Sequence, residues 1–197
     1  MTRKILSLLL ALALLTGLAG SALAAEDASG AAVRLARTEG TVEVSKGSGK
    51  KLTLLEKMRL YSGYHVSTSE ESYAWINLDN SKLLKEDALS EVEVRKSGKL
   101  LEVNLWSGNL FFNVAEELEN DETLNVSTST MVVGIRGTSG WVQTEDRWRT
   151  TICLLEGTLQ CVVSDPVTSQ LKTAELHGGD VAECVVYPQD KVGDKCD

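Results

Sequence analysis

Short runs in which apolar and polar residues alternate recur along most of the chain after residue 33. Alternation with a period of two places successive side chains on opposite faces of a β-strand. The runs are 41–44, 73–78, 90–94, 100–105, 109–114, 151–155, 158–163 and 181–186. A helix fits only around 115–123, where acidic residues crowd together. The pattern therefore predicts an all-β protein made of many short strands.

Glycine marks the bends between these strands, because the chain has 16 glycines and only 2 prolines. Glycine adopts positive φ angles that other residues avoid, which suits sharp corners. The corners also repeat: 39–42 and 156–159 both begin with Glu-Gly-Thr, and each is followed by a Leu-x-x-Gly element. Such recurrence predicts a β-helix-like or β-roll solenoid of short strands, with a two-sheet β-sandwich as the alternative.

The first 24 residues have the layout of a signal peptide. Arg3 and Lys4 precede an apolar stretch over 5–18, which is short for a membrane-spanning helix. Ala22-Leu23-Ala24 then supplies the small residues that signal peptidase recognises. We therefore expect 1–24 to be removed, leaving a secreted, extracytoplasmic protein that is not integral to the membrane.

Cleavage leaves a chain of ordinary single-domain size, with 173 residues once 24 are subtracted from 197. We expect a flexible leader over 25–32 and a single β domain over 33–197. Without Arg3 and Lys4 the chain has 18 basic and 28 acidic residues, so its net charge is about −10. Such a chain repels phosphate backbones, which argues against nucleic acid as a partner.

The four cysteines are Cys153, Cys161, Cys184 and Cys196, all near the C-terminus. An even number of cysteines in a secreted chain favours disulfides over metal or redox chemistry. If Gly157 is the tip of a hairpin, Cys153 and Cys161 lie opposite each other. We predict that pairing, together with Cys184–Cys196. If Gly157 is instead a corner between coils, Cys161–Cys184 becomes the better pair.

The most specific pattern lies within 125–142. It contains Gly134, Arg136, Gly137 and Thr138 between two β-type runs, in the order T-x-x-x-x-V-G-I-R-G-T-x-x-x-V. This pattern resembles the core of the FecR-like domain family, a bacterial envelope module. Weaker matches to the same family extend in order over almost the whole mature chain. The resemblance implies a secreted, non-catalytic β domain.

The best-known members of this family place a cytoplasmic anti-sigma segment and a transmembrane helix before the β module. They couple an iron-siderophore receptor to transcription. In this chain the resemblance covers the β module, and we expect a cleaved signal where the cytoplasmic segment would be. We therefore expect a binding or scaffolding role in the envelope, related to signalling by kinship.

Arg136 is the charged residue of the signature. Because Ile135 and Gly137 flank it, we expect it to act as an internal staple that pairs with an acid or with backbone carbonyls. The alternative is that its guanidinium presents a fork to a carboxylate of a partner.

Tryptophan supplies the other candidate contacts. Trp148 lies in a charged segment that looks like an exposed turn, and it is our candidate partner contact. Trp75 and Trp141 alternate with apolar neighbours, so we expect both in the core. The acidic cluster over 116–122 is expected to be a solvated loop or helix start rather than a calcium site.

The sequence gives little support for catalysis. His65 and His177 are the only histidines and form no metal-binding pair, and neither a nucleophile elbow nor a phosphate-cradling glycine loop occurs. We predict a non-enzymatic module without metal or cofactor that binds an unidentified envelope protein. The alternative partner is a glycan or another small ligand. A flat apolar patch around an exposed aromatic favours the protein, and a groove lined with tryptophan and amides favours the glycan.

Overall fold

The computed structural model describes residues 32–47, 49–146, 148–164 and 170–186. The expected signal peptide and most of the expected leader lie outside these ranges. Within them the chain forms fifteen β-strands and no helix, so none of these residues belongs to a helix that could cross a bilayer. The all-β prediction is confirmed.

The strands follow one another with short connections. They are β1 (Arg34–Glu39), β2 (Val42–Lys46), β3 (Lys50–Leu52), β4 (Tyr64–Thr68), β5 (Tyr73–Asn77), β6 (Lys82–Glu86), β7 (Glu91–Ser97), β8 (Leu100–Val114), β9 (Thr123–Ser127), β10 (Val132–Ile135), β11 (Ser139–Asp146), β12 (Arg149–Glu156), β13 (Thr158–Ser164), β14 (Leu171–His177) and β15 (Val181–Val185).

These strands form one large mixed sheet with two halves that share β8. Half-sheet 1 has the order β1–β5–β6–β8–β11–β12–β15, and half-sheet 2 has the order β14–β13–β10–β9–β8–β7–β4–β2–β3. The pairing of β8 with β9 is parallel, whereas β8 pairs antiparallel with β6, β7 and β11. The choice between a solenoid and a sandwich stays a prediction.

The long strand β8 passes from half-sheet 2 to half-sheet 1 at Gly108, whose φ is +85°. A Cβ atom at Gly108 would lie 2.1 Å from Ser90 Oγ and 2.6 Å from Ser90 Cα. Only glycine fits such a position, because both the backbone angle and the space exclude a side chain. The predicted corners at Gly40, Gly63 and Gly157 also have positive φ.

The inward faces of both half-sheets contribute to one hydrophobic core. In β5, Ala74 and Ile76 are completely buried, whereas Trp75 between them is only half-buried. The largest side chains in the core include Phe112, from the part of β8 in half-sheet 1, and Leu124, from half-sheet 2. Burying one such side chain contributes about 1.5–3 kcal/mol to the stability of the fold, so burial of the apolar inward side chains is its main source.

The segment 115–122, where the sequence allows a helix, is an irregular loop between β8 and β9. Lys99 Nζ holds two of its acids, Glu119 at 3.0 Å and Asp121 at 2.7 Å. Leu118 packs against the core, and its N–H donates to the Arg136 carbonyl at 2.9 Å. These tertiary contacts fix the backbone in place of helical hydrogen bonds.

Candidate functional site

The signature 133–138 forms the corner where the chain leaves half-sheet 2 for half-sheet 1. Gly137 has a φ of +151°, and a Cβ atom there would lie 3.1 Å from Glu117 Cα. Thr138 is buried, and its carbonyl accepts a hydrogen bond from Val114 N at 3.0 Å. Gly137 and Thr138 therefore shape the corner itself.

Arg136 is exposed, so the prediction of an internal staple is wrong. Within the described ranges its side chain makes no ion pair or hydrogen bond. Strand alternation explains the error, because Val133 and Ile135 occupy the buried inward positions. Gly134 and Arg136 consequently face outward.

Arg136 lines an open cleft of about 400 Å³ at one end of half-sheet 2, where β9 and β13 begin, β10 ends and the loop 115–122 lies alongside. The buried side chains Leu124, Ile135 and Leu159 line its inner part. We call this space the signature cleft, and we define it by a set of five lining residues: Asn125, Gly134, Arg136, Gln160 and Glu175. Gly134 forms the floor, with Asn125 of β9 and Gln160 of β13 as its partners in register. The missing side chain at Gly134 leaves a trough between two amides.

Two carboxylates border the signature cleft. Glu122 Oε2 lies 3.3 Å from Lys82 Nζ, which binds Asp79 more closely and so offsets the charge of Glu122 only in part. Glu175 Oε1 lies 3.5 Å from His177 Nε2, and this contact is an ion pair only when the histidine is protonated. Glu175 belongs to β14, two strands away from the β10 strand that leads into Arg136. The cleft thus has a cationic side and an acidic side.

A row of aromatic and cationic side chains crosses the outer face of half-sheet 1. Its members are paired in register on successive strands, and we call them the aromatic row: Arg37, Trp75, Lys85, Phe111, Trp141, Cys153 and Val181. Side chains directly opposite on one face of a sheet have Cβ atoms about 5 Å apart, so the members of the row lie side by side.

The cations of the aromatic row lie against the aromatic rings. The Arg37 guanidinium carbon is 4.6 Å from the centroid of Trp75. Lys85 Nζ is 4.4 Å from the Tyr73 centroid and 5.6 Å from that of Trp75. Each such contact contributes about 0.5–1 kcal/mol at an exposed site, which fixes the orientation of the rings.

Phe111 and Trp141 lie beyond these cations and line an open cleft of about 340 Å³. Lys85, Asp87 and Asn109 complete its lining. An aromatic surface bordered by an ammonium, a carboxylate and an amide can combine ring stacking with directed hydrogen bonds.

Both tryptophans expected in the core are half-buried members of this outer row instead. Ala74 and Ile76 flank Trp75 and are the residues that face inward, and Val142 does the same beside Trp141. Alternation identifies two faces of a strand but does not say which face is buried. The prediction that Trp75 and Trp141 point into the core was therefore wrong: both side chains lie on the outward face.

Trp148 lies in the turn between β11 and β12, as its charged surroundings suggested, but it is half-buried. Its carbonyl accepts a hydrogen bond from Val186 N at 2.8 Å. It is not a member of the aromatic row. A contact between Trp148 and a partner stays a prediction.

Trp106 was not selected from the sequence, although 58% of it is exposed. Its ring stacks on His65 with centroids 6.4 Å apart. The indole also lines an open cleft of about 350 Å³ with Arg95 and Asn104 on half-sheet 2. The available signal was its place in the 105–108 corner, where the strand changes from one half-sheet to the other.

The cysteine positions overturn the predicted Cys153–Cys161 pair. Gly157 is a corner between half-sheets rather than a hairpin tip, since β12 pairs with β11 and β15 while β13 pairs with β10 and β14. Cys153 faces outward in the aromatic row, whereas Cys161 is buried. No disulfide joins Cys153, Cys161 and Cys184, and Cys196 lies outside the described ranges.

Cys161 and Cys184 both face inward at the same end of the fold. Burial and the nearby Cys184 thiol raise the pKa of Cys161 to about 11. The Cys184 Sγ atom lies 3.8 Å from the Thr130 carbonyl, and Thr130 Oγ1 lies 2.7 Å from Thr150 Oγ1. Thr150 is the partner of Cys184 in register. These contacts bring the last strand of half-sheet 1 against the turn before β10.

Glu86 is the one completely buried carboxyl group within the described ranges. Neither of its oxygen atoms has a hydrogen-bond partner there. Burial raises its pKa well above the usual value, and the charge of Glu91 raises it further. A single isolated carboxyl does not make a hydrolytic pair. The described residues contain no cluster of histidine, cysteine and acidic side chains arranged to hold a metal.

Comparison with known proteins agrees with the resemblance drawn from the signature. Residues 64–160 match the family model described as FecR protein. No curated protein matches the sequence.

Two crystal structures of a Parabacteroides distasonis protein, assigned provisionally as an anti-sigma factor and solved at 1.65 and 2.50 Å resolution, are similar to the chain. In both comparisons the identity is 13% and the TM-score is 0.47. The similar region covers 61% of this chain and 59% of that protein. The chain therefore spans less than two thirds of the structures it is similar to.

Proposed function

We propose that this chain is a non-catalytic module that binds another protein of the bacterial cell envelope, because residues 64–160 match the family model described as FecR protein. Kinship with that family makes the module signalling-related. The signal-like residues 1–24 support a secreted location, and the single core supports one binding domain over 33–197.

The aromatic row is the observation that carries this proposal. Trp75, Phe111 and Trp141 lie in one line across a sheet face, with Arg37 and Lys85 beside them. Tryptophan and arginine are enriched among the residues that dominate protein interfaces. Val181, which ends the row, is 63% exposed, so apolar surface continues to the edge strand β15.

A glycan is the second candidate for the same face. Asp87, Asn109 and Lys85 border the cleft beside Phe111 and Trp141. Sugar rings place their C–H faces on aromatic rings and their hydroxyls on amides and carboxylates, so this lining meets the criterion of tryptophan with amides.

Affinity capture from the envelope of the producing cell tests the proposal. The bait is residues 25–197, which contain every described residue, and it is compared with Trp141→Ala and Trp106→Ala variants. We expect one protein to be captured by the unmodified bait and by Trp106→Ala, and to be lost with Trp141→Ala. Capture of polysaccharide with the same dependence on Trp141 favours the glycan. Capture that does not depend on Trp141 contradicts the assignment of this face.

A further inference from the structure

The signature cleft contains a guanidinium without an internal partner. The chain has 28 acidic residues, and the described ones leave the exposed Arg136 side chain without an ion pair. A guanidinium keeps its charge at any physiological pH and offers five N–H donors in a planar fork. Carboxylates fit that fork with two parallel hydrogen bonds.

The floor of the cleft is shaped to admit a chain. Gly134 does not need to be glycine for its own backbone, because its φ is not positive. An added Cβ there would meet its nearest atoms, Asn125 Oδ1 and the Gln160 carbonyl, at an ordinary 3.7 Å. The absence of a side chain at Gly134 therefore leaves space rather than relieving strain. Asn125 and Gln160 border that space with amide donors and acceptors that match a peptide backbone.

The charges around the cleft give it a direction. Glu122 is offset only in part by Lys82, since Nζ lies 3.3 Å from Glu122 Oε2 and closer to Asp79. Glu175 lies in the row of Gly134 and Gln160, on the side of β14. A carboxylate is attracted towards Arg136 and repelled from Glu175, so charge complementarity selects one orientation of a ligand.

We propose that the signature cleft binds an extended segment of a partner protein that carries an aspartate or glutamate side chain. The carboxylate accepts two hydrogen bonds from Arg136, and the backbone on either side bonds to Asn125 and Gln160 across Gly134. This site lies on half-sheet 2 and does not depend on the aromatic row of half-sheet 1.

Nuclear magnetic resonance tests the site directly, because a single charged contact with flanking hydrogen bonds gives weak affinity. The ¹⁵N-labelled chain, residues 25–197, is titrated with acetyl-Gly-Gly-Glu-Gly-Gly-amide and with the same peptide carrying Gln in place of Glu. We expect saturable shifts of the Arg136 Nε–H signal and of the Asn125 and Gln160 amide signals with the Glu peptide. The Gln peptide should bind about 10-fold more weakly or worse.

Variants separate the site from general effects. Arg136→Gln should weaken binding of the Glu peptide about 10-fold or more. Gly134→Val should block it while leaving Arg136 in place, and the 3.7 Å clearance leaves room for the new Cβ. Glu175→Gln should strengthen it. Arg59→Gln, which removes a guanidinium outside the cleft, should leave it unchanged, as should Trp141→Ala.

Three results overturn the proposal. The first is equal binding of the Glu and Gln peptides. The second is unchanged binding by Gly134→Val with its fold intact. The third is binding of glucuronic acid that equals or exceeds binding of the Glu peptide, which would assign the cleft to acidic sugars. Loss of envelope capture in Trp141→Ala bears only on the aromatic row, so the two proposals fail independently.

Discussion

The outer faces of the two half-sheets differ sharply although both cover the same core. Half-sheet 1 carries the aromatic row, whereas the corresponding row of half-sheet 2 is polar from β2 to β9. Its polar members in register are Ser45, His65, Glu93, Asn104 and Ser127, and the register continues through Val132 and Val162 on β10 and β13. Most inward residues of both halves are apolar and buried. The comparison teaches that inward positions determine this fold and leave the outward positions available for recognition.

Side chains of the polar row are paired by hydrogen bonds within the protein. Glu93 accepts hydrogen bonds from Arg95 Nε at 2.8 Å and from Asn104 Nδ2 at 3.3 Å, and the bond from Arg95 lowers the pKa of Glu93. His65 Nδ1 lies 3.0 Å from Glu91 Oε1. Groups already paired in this way gain little from a ligand, whereas exposed apolar surface gains from being covered. The aromatic row is therefore the better interface.

The strongest perturbation of this arrangement is Gly108→Ala, because β8 joins the two half-sheets at that residue. The new Cβ would lie 2.1 Å from Ser90 Oγ, with φ at +85°. We expect the free energy of unfolding to fall by about 3 kcal/mol or more. Denaturant unfolding measures it. Gly63→Ala is the matched control, since Gly63 has a φ of +80° but nothing within 4 Å. Equal losses in both variants would mean that space at the crossing is unimportant.

A disulfide between Cys161 and Cys184 would connect the two half-sheets near the C-terminus, and it is the pair that the positions favour. In residues 25–197 oxidised with glutathione disulfide, we expect peptide mapping to recover Cys161 linked to Cys184. Cys161→Ser should then lower the free energy of unfolding by about 2–4 kcal/mol under oxidising conditions. Recovery of Cys153 linked to Cys184 would contradict the inward and outward assignments of these strands.

Glu86 breaks the rule that inward positions are apolar, so Glu86→Met should stabilise the domain. A buried polar group without a partner costs about 1–3 kcal/mol, and methionine has a similar size. The pKa of Glu86 is raised in the folded state. The stability that comes from protonating Glu86 is fully present below the unfolded-state pKa of about 4.3, and it is lost as pH rises through the raised folded-state pKa.

Urea unfolding from pH 4 to pH 8 measures both effects of Glu86→Met. The unmodified chain should lose stability over this interval more steeply than the variant. Parallel pH profiles, or a variant that is less stable at pH 7, would show that the Glu86 carboxyl has a favourable partner when ionised.

The smallest effect on stability is expected for Arg136→Ala. An exposed side chain without an ion pair should change the free energy of unfolding by less than about 0.5 kcal/mol. Thermal or urea unfolding measures it. A loss well above about 1 kcal/mol would support the hypothesis that Arg136 is an internal staple, and it would contradict the proposal that Arg136 is free to bind a ligand in the signature cleft.

Much of the fold could be predicted, because alternation and glycine are local signals. Gly40 and Gly157 are corners, as their repeated Glu-Gly-Thr contexts indicated. Which face of each strand is buried was harder to predict. Trp75 and Arg136 were both assigned inward, yet the smaller residues beside Trp75 and the aliphatic residues beside Arg136 occupy the core. Burial of a face depends on the packing of other strands, which a local pattern does not contain.

Features of the site that depend on which strands pair, and in which register, could not be predicted from the sequence. Phe111 and Trp141 pair only because β8 crosses between the half-sheets and meets β11 there. The predicted hairpin at Gly157 failed for the same reason, since β12 and β13 belong to different halves. Long-range pairing decides both cases.

The most direct test of the aromatic row as the interface is photo-crosslinking in the producing cell. p-Benzoylphenylalanine is introduced in place of Phe111 on half-sheet 1 or in place of Trp106 on half-sheet 2. We predict one discrete protein adduct from position 111 and none from position 106. An adduct from position 106 alone, or no adduct from position 111, would contradict the account.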